Sequence, residues 1–110
     1  MVEFIFALVI MAFGSVVMIA IGVYQIKSTD PVGFYTGEKP LKKEQLTDVK
    51  AYNKKHGWMW ITYGIAIISA FLISSFLGGI GSAVLLIGVI VGALPVMMWY
   101  HAKLKKEYMR

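Results

Sequence analysis

The chain has 110 residues, of which 58% are hydrophobic and 15% charged; its net charge is +5, its mean hydropathy is strongly positive, and it has no cysteine. A soluble domain normally carries about 25% charged residues, and a chain this short has too little interior to bury so many large apolar side chains away from water, so an ordinary soluble fold is excluded. Disulfides and cysteine-based metal sites are excluded with it, and the basic residues flank apolar runs instead of forming a patch of their own, so no nucleic-acid partner is expected.

The predicted architecture is an all-α membrane protein, a single membrane domain over 1–110. From Phe4 to Ile26 the only ionisable residue is Tyr24. At about 1.5 Å per residue that run reaches roughly 34 Å, enough to cross a hydrocarbon core. It lacks a basic n-region and exceeds the usual apolar length of a signal peptide, so it is expected to be a retained span. A second run covers 58–77 and a third covers 82–100, with Gly78-Gly79-Ile80-Gly81 between them. The two runs together are too long for one crossing, and the glycine cluster predicts a tight turn between antiparallel helices. Pro95 removes a backbone donor near the end of the third span and is expected to bend it.

Seven lysines fall between Lys27 and Gly57, and Lys103, Lys105, Lys106 and Arg110 follow the third span; the N-terminus and the glycine turn have no Lys or Arg. All eleven basic residues therefore share one side of a three-span arrangement. The positive-inside rule makes that side cytoplasmic, with loop 27–57 and tail 101–110 inside and the N-terminus outside. Tyr24, Trp58, Trp60, Trp99 and Tyr100 mark the same interface.

The connection opens with Asp30-Pro31-Val32-Gly33-Phe34-Tyr35-Thr36-Gly37, in which one Pro and two Gly argue against helix. After Pro40, Leu46, Val49, Asn53, His56 and Trp60 recur at three- and four-residue spacing as one stripe, opposite Lys43, Asp48, Lys50, Lys54 and Lys55. This predicts an amphipathic helix from about Lys42, lying on the membrane surface and turning into the second span near Gly57. Its lysines would attract anionic lipid headgroups on the cytoplasmic face, at about 1 kcal/mol each. A solvated helical linker is the plainer reading. Asn53 and His56 are polar members of the stripe; either Asn53 holds the Gly33–Gly37 turn against the helix, or it faces water.

The order Gly33-Phe34-Tyr35-Thr36, a lysine-rich stretch, Tyr52-Asn53 and then Gly57-Trp58 resembles the SdpI-type small membrane proteins, named for immunity to a bacterial toxin peptide. The resemblance covers roughly a quarter of the chain, Val32 to Trp60, and its flanking spans. That family usually carries Arg where this chain has Tyr35, and Trp where it has Tyr52. The resemblance implies a non-enzymatic protein of the bacterial inner membrane, with Gly33, Phe34, Tyr35, Thr36, Asn53, His56 and Gly57 as candidate structural or partner-binding positions.

Catalytic, cofactor and metal sites are not expected. The middle turns of the spans contain no Asp, Glu, Lys, Arg or His, where a transporter or proton relay places such groups. His56 and His101 have no carboxylate neighbour in sequence and read as interfacial anchors or helix caps. The spans do carry rows of small residues: Ala66, Ala70 and Ser74 in the second, Gly88 and Gly92 in the third, and, more weakly, Gly14 and Gly22 in the first. Such rows let helices approach closely, and the first two sit in spans that the short turn makes neighbours. They would serve either the monomer or a homo-oligomer. Two functional classes stay open: toxin immunity or membrane signalling through a protein or peptide partner at the loop, and a holin-like pore. An accessory subunit of a larger membrane complex would carry the same marks.

Overall fold

The computed structural model describes residues 2–33 and 42–109. Three helices make up nearly all of it: α1 (Val2–Lys27), α2 (Val49–Leu77) and α3 (Gly79–Tyr108), with one short 3-10 turn at Lys43–Gln45. Each is long and apolar enough to cross a bilayer, as a multi-pass membrane protein requires. Most of their large apolar side chains face outward, among them Phe6, Phe13, Phe76 and Ile80. That is the pattern expected where lipid replaces water.

α2 is the central helix, and both α1 and α3 pack on it. The α1–α2 contact is the tight one and is built on missing side chains. A Cβ placed on Gly22 would run into the Gly57 carbonyl oxygen and lie 2.6 Å from Ile61 Cγ1; one on Gly57 would meet the Gly22 carbonyl and Ile26 Cγ1. Seven residues further along each helix, Gly64 leaves space for the backbone of Ser15, whose carbonyl oxygen would lie 2.8 Å from an added Cβ. Phe4 stacks on Phe71 near the opposite end. The helices of this pair are thus antiparallel, and backbone meets backbone where glycine permits it.

α3 follows α2 after a single residue. Gly78 and Gly79 have φ of +69° and +58°, conformations that favour glycine because a Cβ crowds the following carbonyl. The turn is therefore tighter than the expected 78–81. The helix also passes through Pro95 and the expected tail, reaching Tyr108. Its buried residues, Met97, His101 and Leu104, all lie in the half nearer the basic end. Beside Pro95, which leaves the Val91 carbonyl without an amide donor, the Tyr63 hydroxyl donates to the Ile90 carbonyl at 2.9 Å.

Two expectations change. Among the described residues there is no separate surface helix between the first two spans. Asp48 caps α2, its carboxylate accepting from the Ala51 amide at 3.0 Å, and the helix runs unbroken through Gly57 to Leu77. One glycine costs a helix only about 1 kcal/mol, too little to force a bend where packing holds the helix straight. The close contact expected at Gly88 and Gly92 is also absent: among the described residues, nothing beyond the adjoining turns of α3 lies within 4 Å of a Cβ built on either. Ala70 and Ser74 are buried, whereas Ala66, Gly88 and Gly92 line an open groove between α2 and α3.

Candidate functional site

Four of the buried polar side chains, Gln25, Asn53, His56 and His101, gather where the lysine-rich ends of the helices meet. The first turns of α2 supply Tyr52, Asn53 and His56, all with 0% of their surface exposed. The chain leaving α1 folds over them. Asn53 uses its whole amide: the oxygen accepts from the Val32 N–H at 3.1 Å, and the nitrogen donates to the carbonyls of Ser28 at 3.1 Å and Asp30 at 2.8 Å. The Tyr52 hydroxyl donates to the Val32 carbonyl at 2.8 Å. Two adjacent side chains of α2 thereby satisfy four backbone groups of a segment with no regular structure of its own, as buried backbone requires.

A second chain of bonds crosses all three helices. The Gln25 side-chain nitrogen of α1 donates to the Gly33 carbonyl at 3.4 Å, which turns the Gln25 oxygen toward His56 of α2. His56 Nδ1 lies 2.7 Å from that oxygen and must carry the proton, since an amide oxygen only accepts. On its other side His56 Nε2 lies 2.9 Å from Nδ1 of His101 on α3. One proton belongs between those two nitrogens. The pair is complete with both rings neutral or with one extra charge shared between them. Two extra charges would set two N–H groups against each other and break the contact. The rings meet edge to face with centroids 5.0 Å apart.

An apolar plug closes the site from below. Leu46, Tyr52 and Leu104 form one buried cluster, with Val32, Val49, Tyr100 and Tyr108 around it. The segment before α2 is tied to the end of α3 by the Thr47 amide, which donates to the Tyr108 carbonyl at 2.7 Å, and by a bridge between Leu46 and Met109. Outside, Lys55 pairs with Glu107 at 3.2 Å and lies over the Tyr108 ring. Exposed pairs of this kind add little stability, but this one joins the same two helices.

The stripe expected to face lipid therefore faces protein. Leu46, Asn53 and His56 are buried by the connection and by α3, Leu46 in an apolar cluster with Tyr52 and Leu104, the other two because their polar groups find backbone and imidazole partners there. Likewise, His56 and His101 are core residues and not interfacial anchors: His56 is fully covered and His101 is 6% exposed. Asn53 does not face water, but its partners Ser28, Asp30 and Val32 precede the Gly33–Gly37 turn it was expected to hold; Gly33 is held by Gln25, and Phe34, Tyr35, Thr36 and Gly37 lie outside the described residues. Gly57 belongs to the α1–α2 crossing.

Sequence reasoning missed Gln25 and underrated Gly22. Gln25 was visible as the one amide side chain in the last turn of an otherwise apolar span. The crossing was visible too: Ser15 and Gly22 in α1, and Gly57 and Gly64 in α2, are small residues seven apart, a spacing that returns to one helix face.

No protein-family model, no curated protein and no solved structure shows a significant match to this chain.

Proposed function

We propose that the chain is a non-enzymatic, multi-pass membrane protein of SdpI-like type, acting through the face at its basic end in toxin immunity or membrane signalling. The observation that carries this reading is the convergence of Gln25, Asn53, His56 and His101 on one covered site beneath the connection. Satisfied buried polar networks give up some stability in exchange for one fixed geometry. Here they fix segment 28–33 and the approach to α2, the surface that a protein or peptide partner would meet. A holin-like pore calls for polar groups along a water path through the spans. In this chain the amide and imidazole side chains are concentrated at one end, and the middle turns of the spans carry only scattered hydroxyl groups.

The positive-inside rule makes that end cytoplasmic. Cysteine at Ser82→Cys is expected to react with an impermeant maleimide added to intact cells, and Lys54→Cys to react only after the cells are opened. Labelling of position 54 from outside would reverse the orientation.

The role itself is tested with a photo-crosslinking residue at exposed Gln45. In growing bacteria it is expected to give a discrete adduct that disappears when Asn53 is replaced by Leu, with the membrane potential intact. Depolarisation on induction with no adduct would favour the pore and sink the proposal.

A further inference from the structure

The groove between α2 and α3 has a volume of about 820 Å³ and is almost wholly apolar, within the usual range of ligand pockets. Its floor includes Ala66, Gly88 and Gly92, and among the described residues nothing beyond the adjoining turns of α3 lies within 4 Å of the side chain each glycine lacks. It ends near Trp58, Trp99, Lys54 and Lys55. Lys103 lies over the Trp99 ring, 5.3 Å from its centroid. Glu107 offsets Lys55, so these groups leave two net positive charges at the mouth. Among the described residues Lys54 makes no ion pair.

Length identifies the occupant. The lining runs from Ala51 to Ala66 on α2 and from Tyr100 to Gly88 on α3; inward of Trp58 and Trp99 it extends eight and eleven residues, or about 12 to 16 Å. That is close to half the roughly 30 Å hydrocarbon core. Trp58 and Trp99 belong at the interface, which sets Lys54, one turn further out, at headgroup depth. The groove thus reaches from the headgroups of one leaflet to the middle of the bilayer. A helix from another chain would cross both leaflets. A second copy related by a twofold axis along the membrane normal would also bring lysine mouth against lysine mouth.

We propose that this groove binds one anionic phospholipid of the leaflet at the basic end, its phosphate between Lys54 and Lys103 and an acyl chain against Gly88 and Gly92. The inference rests on the three helices spanning a bilayer and is independent of the partner role proposed above.

Native mass spectrometry of the purified chain, offered equal phosphatidylglycerol and phosphatidylcholine, provides the test. One phosphatidylglycerol is expected to be retained in preference. Lys54→Gln and Lys103→Gln should each weaken that retention about fivefold. Gly92→Leu should abolish it while leaving the thermal midpoint in plain detergent unchanged, since the new side chain meets open space; Ala66→Leu is a second filling variant. Equal retention of the two lipids overturns the proposal, as does undiminished phosphatidylglycerol binding in both filling variants with their midpoints unchanged. A dimer in phosphatidylcholine nanodiscs that Gly92→Leu splits would assign the groove to a second copy and overturn it equally.

Discussion

Replacing Gly22 with leucine is expected to be the most damaging single change in the chain. Its missing Cβ position is already occupied by the Gly57 carbonyl and by Ile61, so the new side chain can be seated only by moving two helix backbones apart. Overpacking costs typically 1–3 kcal/mol; here the obstacle includes backbone, which cannot change rotamer, and a loss of about 3 kcal/mol or more is expected. Separation of α1 from α2 would also strain the Gln25–His56 bond, less than one turn away. Gly14→Leu is the matched control, because among the described residues nothing beyond the adjoining turns of α1 lies within 4 Å of a Cβ built there. Thermal unfolding in mild detergent should show a large drop for Gly22→Leu and almost none for Gly14→Leu. Equal midpoints would falsify the glycine-built crossing.

Asn53→Leu is expected to release the connection while leaving the spans inserted. The leucine fills a similar volume, but the Val32 N–H and the Ser28 and Asp30 carbonyls lose their partners together. Each buried group left unsatisfied costs about 1–3 kcal/mol. Water reaches a part-buried segment once it lifts away, so the chain avoids most of that cost by opening, and a net loss of about 2 kcal/mol is expected. The readout is cleavage between residues 28 and 33 by protease added at the basic face of inverted vesicles, which should become much faster. Asn53→Asp isolates the donors: it keeps an acceptor for Val32 but turns a carboxylate oxygen toward two carbonyls. It should open the segment as well. A cleavage pattern unchanged in both variants would remove Asn53 from its place in the site.

The spans were legible because charge is excluded from hydrocarbon: the apolar runs anticipate α1 within a few residues, and the glycines mark the α2–α3 junction. The direction in which the stripe of Leu46, Asn53 and His56 faces was not. The same three-and-four spacing serves a helix against lipid and a helix against protein, and only the partners at Ser28, Asp30, Val32 and His101 distinguish them. Gly57 looked like a break between two helices because glycine is a poor helix former. Its actual role depends on Gly22, thirty-five positions away. The rows at Gly88 and Gly92 followed the same packing rule as the true crossing, and spacing within one helix does not say which row another helix meets. The histidine pair was hidden for a similar reason: two isolated histidines become one site only when α2 and α3 are set side by side.

The pairing of His56 with His101 also bears on the order in which the protein is completed. Translation proceeds from the N-terminus, so His101 is added 45 residues after the imidazole it meets, and Leu104 later still. The α1–α2 hairpin contains its own crossing glycines and can close while α3 is still being made. The pocket around His56 and Tyr52 cannot. At that stage it lacks both the second ring and the leucine of its plug, and segment 46–47 has no strand-like partner at 108–109. Insertion and completion are therefore separate events in the birth of this chain: the hairpin can settle in the bilayer early, whereas its basic face acquires its final form only when the far end of α3 leaves the ribosome and docks.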